Sequence, residues 1–236
     1  MNVRTLDPAL GRWLPQRGWL AKADADFRRE LLALGRPRAY RAGAVIYRAG
    51  DPGGEFFVLA AGIVLLHSRF AHADAIFLHM VHPGECFGSA PVLAARARAA
   101  TASARTPVEV LSIAGNDLRA LLKHRPEWAV ELGRDLLHYC EVAMQAAGDL
   151  LIRDTAARCA AVLLRLGGRR WAEEAEANQP SHVPAPQSEI AMMANVSRNT
   201  LNEVLRAFTE RGIVALEYRS VLLKDPVRLR KIADGL

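Results

Sequence analysis

The sequence predicts an α+β fold: an all-β N-terminal part, a long helix, and a C-terminal helix-turn-helix followed by a hairpin. Three observations carry that prediction. Between Tyr40 and Ile113, short apolar runs alternate with Gly, Pro and Asp turn signals, the texture of a β-sandwich or barrel. From Pro126 to about Gly148 the pattern becomes one uninterrupted helical stretch. After Pro186, two short helical segments flank a turn and two β-like runs follow, all within about forty residues, the order of a winged helix-turn-helix.

Composition sets the frame. The chain has 236 residues, of which 51% are apolar and 24% charged, the balance of a folded globular protein with more than one domain. A net charge of +6 is compatible with a nucleic-acid partner without requiring one. "MNVRTLDPALGRWLPQRGWL" lacks the apolar core of about 7–15 residues that marks a secretory signal. It reads as irregular, with Trp13 and Trp19 as anchors. No run approaches the roughly 18 apolar residues of a membrane span, which places the protein in the cytoplasm. Cys86, Cys140 and Cys159 are far apart and form no CxxC pair. They support neither a structural zinc site nor a four-cysteine cluster, and read as reduced, buried thiols.

Taken in order, "DADFRRELLALG" (24–35) is a helix starting at Asp24, with Phe27, Leu31, Leu32 and Leu34 apolar and Gly35 as its stop. The strands then run through "AVIY", "FFVLAAGIVLLH", "AIFLHMV", "HPGECFG" and "VEVLSI", turning at "AGDPGGE", Gly62 and Gly84. Asn116 or Asp117 caps a helix over Leu118–Lys123, and Pro126 suits the first turn of the next. On that long helix Leu132, Leu136, Tyr139, Ala143, Ala146 and Leu150 follow at 4, 3, 4, 3 and 4 residues, the a/d seam of a helix pair or a core-facing stripe. "DTAARCAAVLLRLG" (154–167) is a further helix capped by Asp154. "GRRWAEEAEANQPSHVPAP" reads as a surface connection with a short helix around Trp171–Ala177.

In the last segment, Ile190, Met193 and Ala194 lie at helical spacing, Asn195-Val196 makes the turn, and Ser197 caps the next helix. Leu201, Val204, Leu205 and Phe208 form its apolar face, and Gly212 ends it. Arg198, Asn199, Asn202, Glu203 and Arg206 occupy the remainder. These residue types can read base edges: Arg pairs with guanine, Asn with adenine, and Glu accepts from cytosine. Arg206, Arg211 and the wing's Arg219 suit phosphates, which position without specifying. Residues 181–236 hold eight Arg/Lys and six Asp/Glu, a balance of +2, so the motif order and not the charge carries this reading. No P-loop, nucleophile elbow, HExxH or paired-carboxylate motif is present, and the chain does not read as an enzyme.

Three blocks of the chain resemble the Crp/Fnr family of bacterial transcription regulators: "GAVIYRAGDPGGEFFVLAAGIVLL", then "GECFGS" with "RARAATASARTPVEVLSI", then "SEIAMMANVSRNTLNEVLRAFTERGIV". The resemblance spans about residues 27–232. It implies an N-terminal β-roll of double-stranded jelly-roll type as effector or sensor domain (1–125), a dimerisation helix (126–150) and a winged helix-turn-helix DNA-binding domain (151–236). It implies a homodimer with Leu132, Leu136, Tyr139, Ala143, Ala146 and Leu150 at the subunit interface. Double-stranded DNA, a palindromic operator and RNA polymerase are the implied partners, with no membrane. On the DNA it implies Ser188, Ser197, Arg198, Asn199, Thr200, Asn202, Glu203, Arg206 and Arg219.

The effector pocket implied by the resemblance falls on Gly88, Ser89, Arg98, Ala99, Ala143 and Met144. Gly88 and Arg98 fit a cyclic phosphate. Ser89 stands where cyclic-nucleotide-responsive members have Glu, Ala99 replaces a hydroxyl residue beside the phosphate Arg, and Ala143 and Met144 replace the two hydroxyls that meet the base. Each lost partner costs roughly 1–3 kcal/mol, so these departures argue against cAMP. The N-terminal cysteines of cluster-binding members are missing, which argues against an iron–sulfur cluster. His67, His72, His79, His82, His124 and Cys140 leave haem open by ligand type, and the effector stays unknown. In the recognition helix, Asn199 and Glu203 depart from the family's frequent Glu and Arg, which implies an operator of the protein's own. The rival expectation is a ligand-binding regulatory protein acting through protein contacts and not through DNA.

Overall fold

The computed structural model describes residues 18–68, 76–170 and 177–236. Trp13, His72 and nearly all of the expected helix around Trp171 lie outside them. The chain divides into two compact units, one ending at Cys140 and the other Glu141–Leu236, and each is described by itself.

The first unit opens with α1 (Gly18–Lys22) and α2 (Ala25–Ala33). Asp24 caps α2 as expected, accepting from the amides of Asp26 and Phe27. Eight strands follow: β1 (Arg36–Tyr40), β2 (Val45–Tyr47), β3 (Glu55–Ala61), β4 (Val64–Ser68), β5 (Ile76–Val81), β6 (Cys86–Phe87), β7 (Thr101–Ala104) and β8 (Val108–Ala114), with α3 (Ser89–Leu93) between β6 and β7. They form two four-stranded sheets, ordered β1-β8-β3-β6 and β2-β7-β4-β5. All pairs are antiparallel. The two sheets form the all-β body that the apolar runs predict.

β1 is an unforeseen strand. "RPRAY" shows no apolar run because its first four residues are exposed and its last half-buried. Among the described residues it pairs only with β8, and an edge is where a strand tolerates Pro37.

Two cores result. One places Phe57, Val64, Phe87 and Val110 between the sheets. The other packs Phe56, Val58, Cys86 and Ile113 of the first sheet against Leu20, Phe27, Leu31, Trp128 and Leu132 of the helices. α4 (Gly115–His124) starts one turn earlier than expected. Its N-cap is Ala114, without a side-chain cap bond, so the expected cap at Asn116 or Asp117 is corrected. Asn116 lies in the first turn and accepts from Arg119 instead. Pro126 opens a single 3-10 turn (Pro126–Trp128) that leads into α5, Ala129–Leu151.

In the second unit, α6 (Thr155–Leu166) carries the expected Asp154 cap, which accepts from the Ala157 amide at 2.7 Å. α7 (Gln187–Met193) and α8 (Arg198–Glu210) form the helix-turn-helix. Asn195 makes the turn at φ +50°, a conformation that Asn tolerates better than most side chains. β10 (Val214–Glu217) and β11 (Ser220–Leu223) form the expected wing. The wing has a third strand, β9 (Ser181–Val183), inside the stretch expected to be a surface connection. A final helix, α9 (Pro226–Ala233), is capped by Asp225 with Pro226 at its start.

Candidate functional site

Two clusters of expected site residues take shape, one in each unit. In the second unit, Ser197 accepts from the Thr200 amide at 3.0 Å and fixes the start of α8. Leu201, Leu205 and Phe208 are buried against the rest of the unit. Ser197, Arg198, Asn199, Asn202, Glu203 and Arg206 are exposed, and Thr200 is half-buried. Ser188 on α7 is also exposed. A helix sorted this way presents polar side chains from its N-terminal turns outward while its apolar stripe anchors it. Arg219 sits exposed at the wing tip with φ +55°, beside Tyr218 at 91% exposure. Backbone strain at a non-glycine residue is characteristic of positions that must hold a side chain in a set direction.

In the first unit, Gly88 takes φ +84° and begins α3, and a Cβ there would stand 2.5 Å from Arg98 Nη1. Arg98 is 5% exposed. It donates to the carbonyls of Gly88 at 3.0 Å and Glu55 at 2.5 Å, and its guanidinium lies over the Tyr47 ring. Burial pulls the Arg98 pKa below its ordinary value, and burial pushes the Tyr47 hydroxyl up to about 12 despite the nearby guanidinium. Ser89 is buried, and its hydroxyl donates to Asp135 Oδ2 at 2.5 Å. Ala99 is exposed. Gly88, Ser89 and Arg98 are therefore brought together. Ala143 and Met144 are exposed on the stretch of α5 that groups with the second unit.

α5 corrects part of the expected seam. Leu132 is 1% exposed within the core that holds Phe27 and Trp128. Tyr139 donates its hydroxyl to the Cys86 carbonyl. Both residues are used inside their own unit, so they do not face outward. Leu136 and Ala146 are half-buried, and Leu150 is 44% exposed. The exposed apolar row is the neighbouring one: Val130, Gly133, Leu137, Cys140, Met144, Ala147 and Leu151, at intervals of 3, 4, 3, 4, 3 and 4. It runs one residue out of phase with the expected seam. Cys140 is exposed, which corrects the expectation of three buried thiols, while Cys86 and Cys159 are buried.

Of the haem-type ligands, His79 pairs with Glu85, and His124 and Cys140 are exposed. Among the described residues, no three His, Cys, Asp or Glu stand where they could hold a metal ion. No helix among them is long and apolar enough to cross a membrane. Among the buried polar residues, Asp135 was not foreseen from the sequence. Its signal was a carboxylate between Leu132 and Tyr139 on an otherwise apolar stripe.

Comparison with known proteins finds a matching domain in each unit. Residues 37–125 match the cyclic nucleotide-binding domain, and residues 157–232 match the Crp-like helix-turn-helix domain. The chain is 29% identical over 228 residues to a CRP-like cAMP-activated global transcriptional regulator of Mycobacterium tuberculosis, covering 97% of this chain and 100% of the relative. It is 29% identical over 199 residues to the cyclic AMP receptor protein of Thermus thermophilus, covering 84% and 88%. A solved CRP/FNR-family transcriptional regulator, also of Thermus thermophilus, superposes with a TM-score of 0.64 at 25% identity, covering 84% and 98%. FixK2 of Bradyrhizobium japonicum shares the fold with a TM-score of 0.69 at 19% identity, covering 84% and 96%. The Crp-like helix-turn-helix domain and the relatives matched over most of the chain are those of transcriptional regulators, which are not enzymes. The chain belongs to the Crp/Fnr family of transcriptional regulators.

Proposed function

We propose that the protein is a cytoplasmic, homodimeric regulator that reads a palindromic operator in double-stranded DNA and acts with RNA polymerase. The observation that carries this reading is α8. Its apolar face is buried, while Arg198, Asn199, Asn202, Glu203 and Arg206 stand exposed from a start fixed by Ser197. Inserted in a major groove, Arg198, Asn199, Asn202 and Glu203 meet base edges. Ser188, Ser197, Thr200, Arg206 and the wing's Arg219 meet the backbone.

A two-fold dimer places its recognition helices about 34 Å apart, one turn of DNA. The exposed α5 row, Val130 to Leu151, supports a parallel pairing of two copies, because small Gly133, Cys140 and Ala147 alternate with larger side chains. Two relatives are named for cAMP. In this chain the Ser89 hydroxyl is engaged by Asp135, and Arg98 is engaged by two main-chain carbonyls and Tyr47. Both features support control by something other than cAMP.

The test is selection from random duplexes followed by gel shift across a salt series. A selected palindrome whose affinity is lost in Arg198→Ala/Asn199→Ala supports the reading. No sequence preference in the wild type, or none lost in the variant, sinks it in favour of a regulator acting through protein contacts.

A further inference from the structure

Within the first unit, α5 does not pack on the β-roll through apolar contacts alone. Glu85, in the turn before β6, accepts from the His82 amide at 3.0 Å and meets His79 Nε2 of β5 at 3.2 Å through the same oxygen. Its other oxygen stands 3.9 Å from His138 Nε2 on α5. Three residues earlier on α5, Asp135 is fully buried. Its Oδ2 holds the Ser89 hydroxyl of α3, while its Oδ1 completes no hydrogen bond. Trp19 of α1 stands close enough to favour the charged form, and Glu85 opposes it. The Cys86 thiol and the Tyr139 hydroxyl close the ring of titratable groups, and burial pushes both well above their ordinary pKa.

A proton-linked contact therefore joins the helix to the roll. A buried carboxyl group with one hydrogen-bonded oxygen is costly to ionise. Burial outweighs the Ser89 hydroxyl, His138 and Trp19 and raises the Asp135 pKa to about 6. At Glu85, burial acts upward, but the neighbouring His138 and His79 win and hold the carboxyl well below the usual range. Glu85 is thus a fixed anion near the buried carboxyl and opposes its ionisation.

We propose that the docking of α5 on the β-roll is a proton-responsive latch, tightened when Asp135 carries its proton and loosened when this passes to solvent water. For Asp135 the folded value lies above the ordinary carboxylate value, so its contribution is complete below about pH 4 and is lost as the pH rises towards 6. Transmission to the operator rests on the DNA-binding function proposed above, because α5 is also the helix that pairs the copies.

Hydrogen–deuterium exchange of the full chain, corrected for intrinsic rates, tests the latch at α5 amides near Asp135. In the wild type, protection falls about tenfold between pH 5 and 7 from Asp135 alone. Asp135→Asn keeps a hydrogen-bonding partner for Ser89 and removes that fall. Parallel pH profiles in the wild type and Asp135→Asn overturn the proposal. Affinity for the selected duplex, measured at the same pH values, falls with rising pH in the wild type and less in Asp135→Asn. If exchange responds and affinity does not, transmission is overturned and the latch stands. If no duplex binds at any pH, the DNA reading fails and the exchange profiles alone decide the latch.

Discussion

The Arg98 guanidinium carbon lies 4.1 Å from the centroid of the Tyr47 ring. Here the cation also fastens the segment before β7 to Gly88 and Glu55. Arg98→Ala orphans two carbonyls and removes the ring contact, which costs about 3 kcal/mol of first-unit stability in a urea titration. Arg98→Lys is also damaging, because a single ammonium cannot bridge the two carbonyls as the planar fork does. cAMP at 1 mM is expected to move the wild-type melting temperature by less than about 1 °C. A ligand at a hundred times its Kd would add about 2.7 kcal/mol.

Leu132 and Leu137 make opposite predictions from adjacent faces of one helix. Leu132→Ala empties a core site and costs about 2–5 kcal/mol of stability, with the oligomeric state unchanged at high protein concentration. Leu137→Lys leaves the fold intact and yields monomers in analytical ultracentrifugation. The reverse pattern would restore the seam at Leu132, Leu136 and Tyr139.

Cys140 offers an independent check of the same row. Two copies paired through it bring their Cys140 Cα atoms within the roughly 4.4–6.8 Å that a disulfide needs. Copper–phenanthroline oxidation is expected to give a covalent species of twice 25.8 kDa on non-reducing gels, absent in Cys140→Ser. Failure of the wild type to cross-link in its dimeric state rules out this pairing.

Arg219 trades stability for placement. A non-glycine side chain in the left-handed region costs roughly 1–2 kcal/mol, so Arg219→Gly is expected to raise the melting temperature of the second unit. The same change weakens operator binding and lowers the salt slope of log Kobs by about 0.9 if one phosphate contact is lost. A stabilised variant with unchanged salt slope would remove Arg219 from the interface.

Asp149, 4% exposed near the end of α5, stands between Arg165 at 3.6 Å and Arg170 at 3.3 Å, and Arg170 continues to Asp234 at 2.6 Å. Burial raises its pKa against the pull of both guanidiniums. Asp149→Ala strands Arg165, itself 5% exposed, and is expected to cost about 3–5 kcal/mol of second-unit stability in chemical denaturation. A cost below about 1 kcal/mol would mean the triad is solvated.

What could be read in advance follows from which forces are local. The caps at Asp24, Asp154 and Ser197 were legible because a short polar side chain must meet its own backbone amides. The alternation of strands and the apolar face of α8 were legible through periodicity. β1 and β9 were not, because an edge strand needs no apolar pattern and is held by hydrogen bonds to a partner remote in sequence. The phase of α5 was not legible either. Apolar residues occupy two adjacent stripes, and only the packing of Leu132 against Phe27 and Trp128 decides which one faces inward. Gly88, Ser89 and Arg98 were found from the motif, whereas Asp135 needed the fold to bring it to Ser89.

The edge strand β1 has a bearing on solubility. An uncovered strand edge invites a second sheet to add to it, and such growth has no natural end. Pro37 offers no N–H, and Arg36 and Arg38 would set like charges against a second copy of the same edge. Replacing Pro37 with Val would give that edge a full set of donors. The resulting protein is expected to scatter light on concentration, because it would have acquired a surface on which to polymerise.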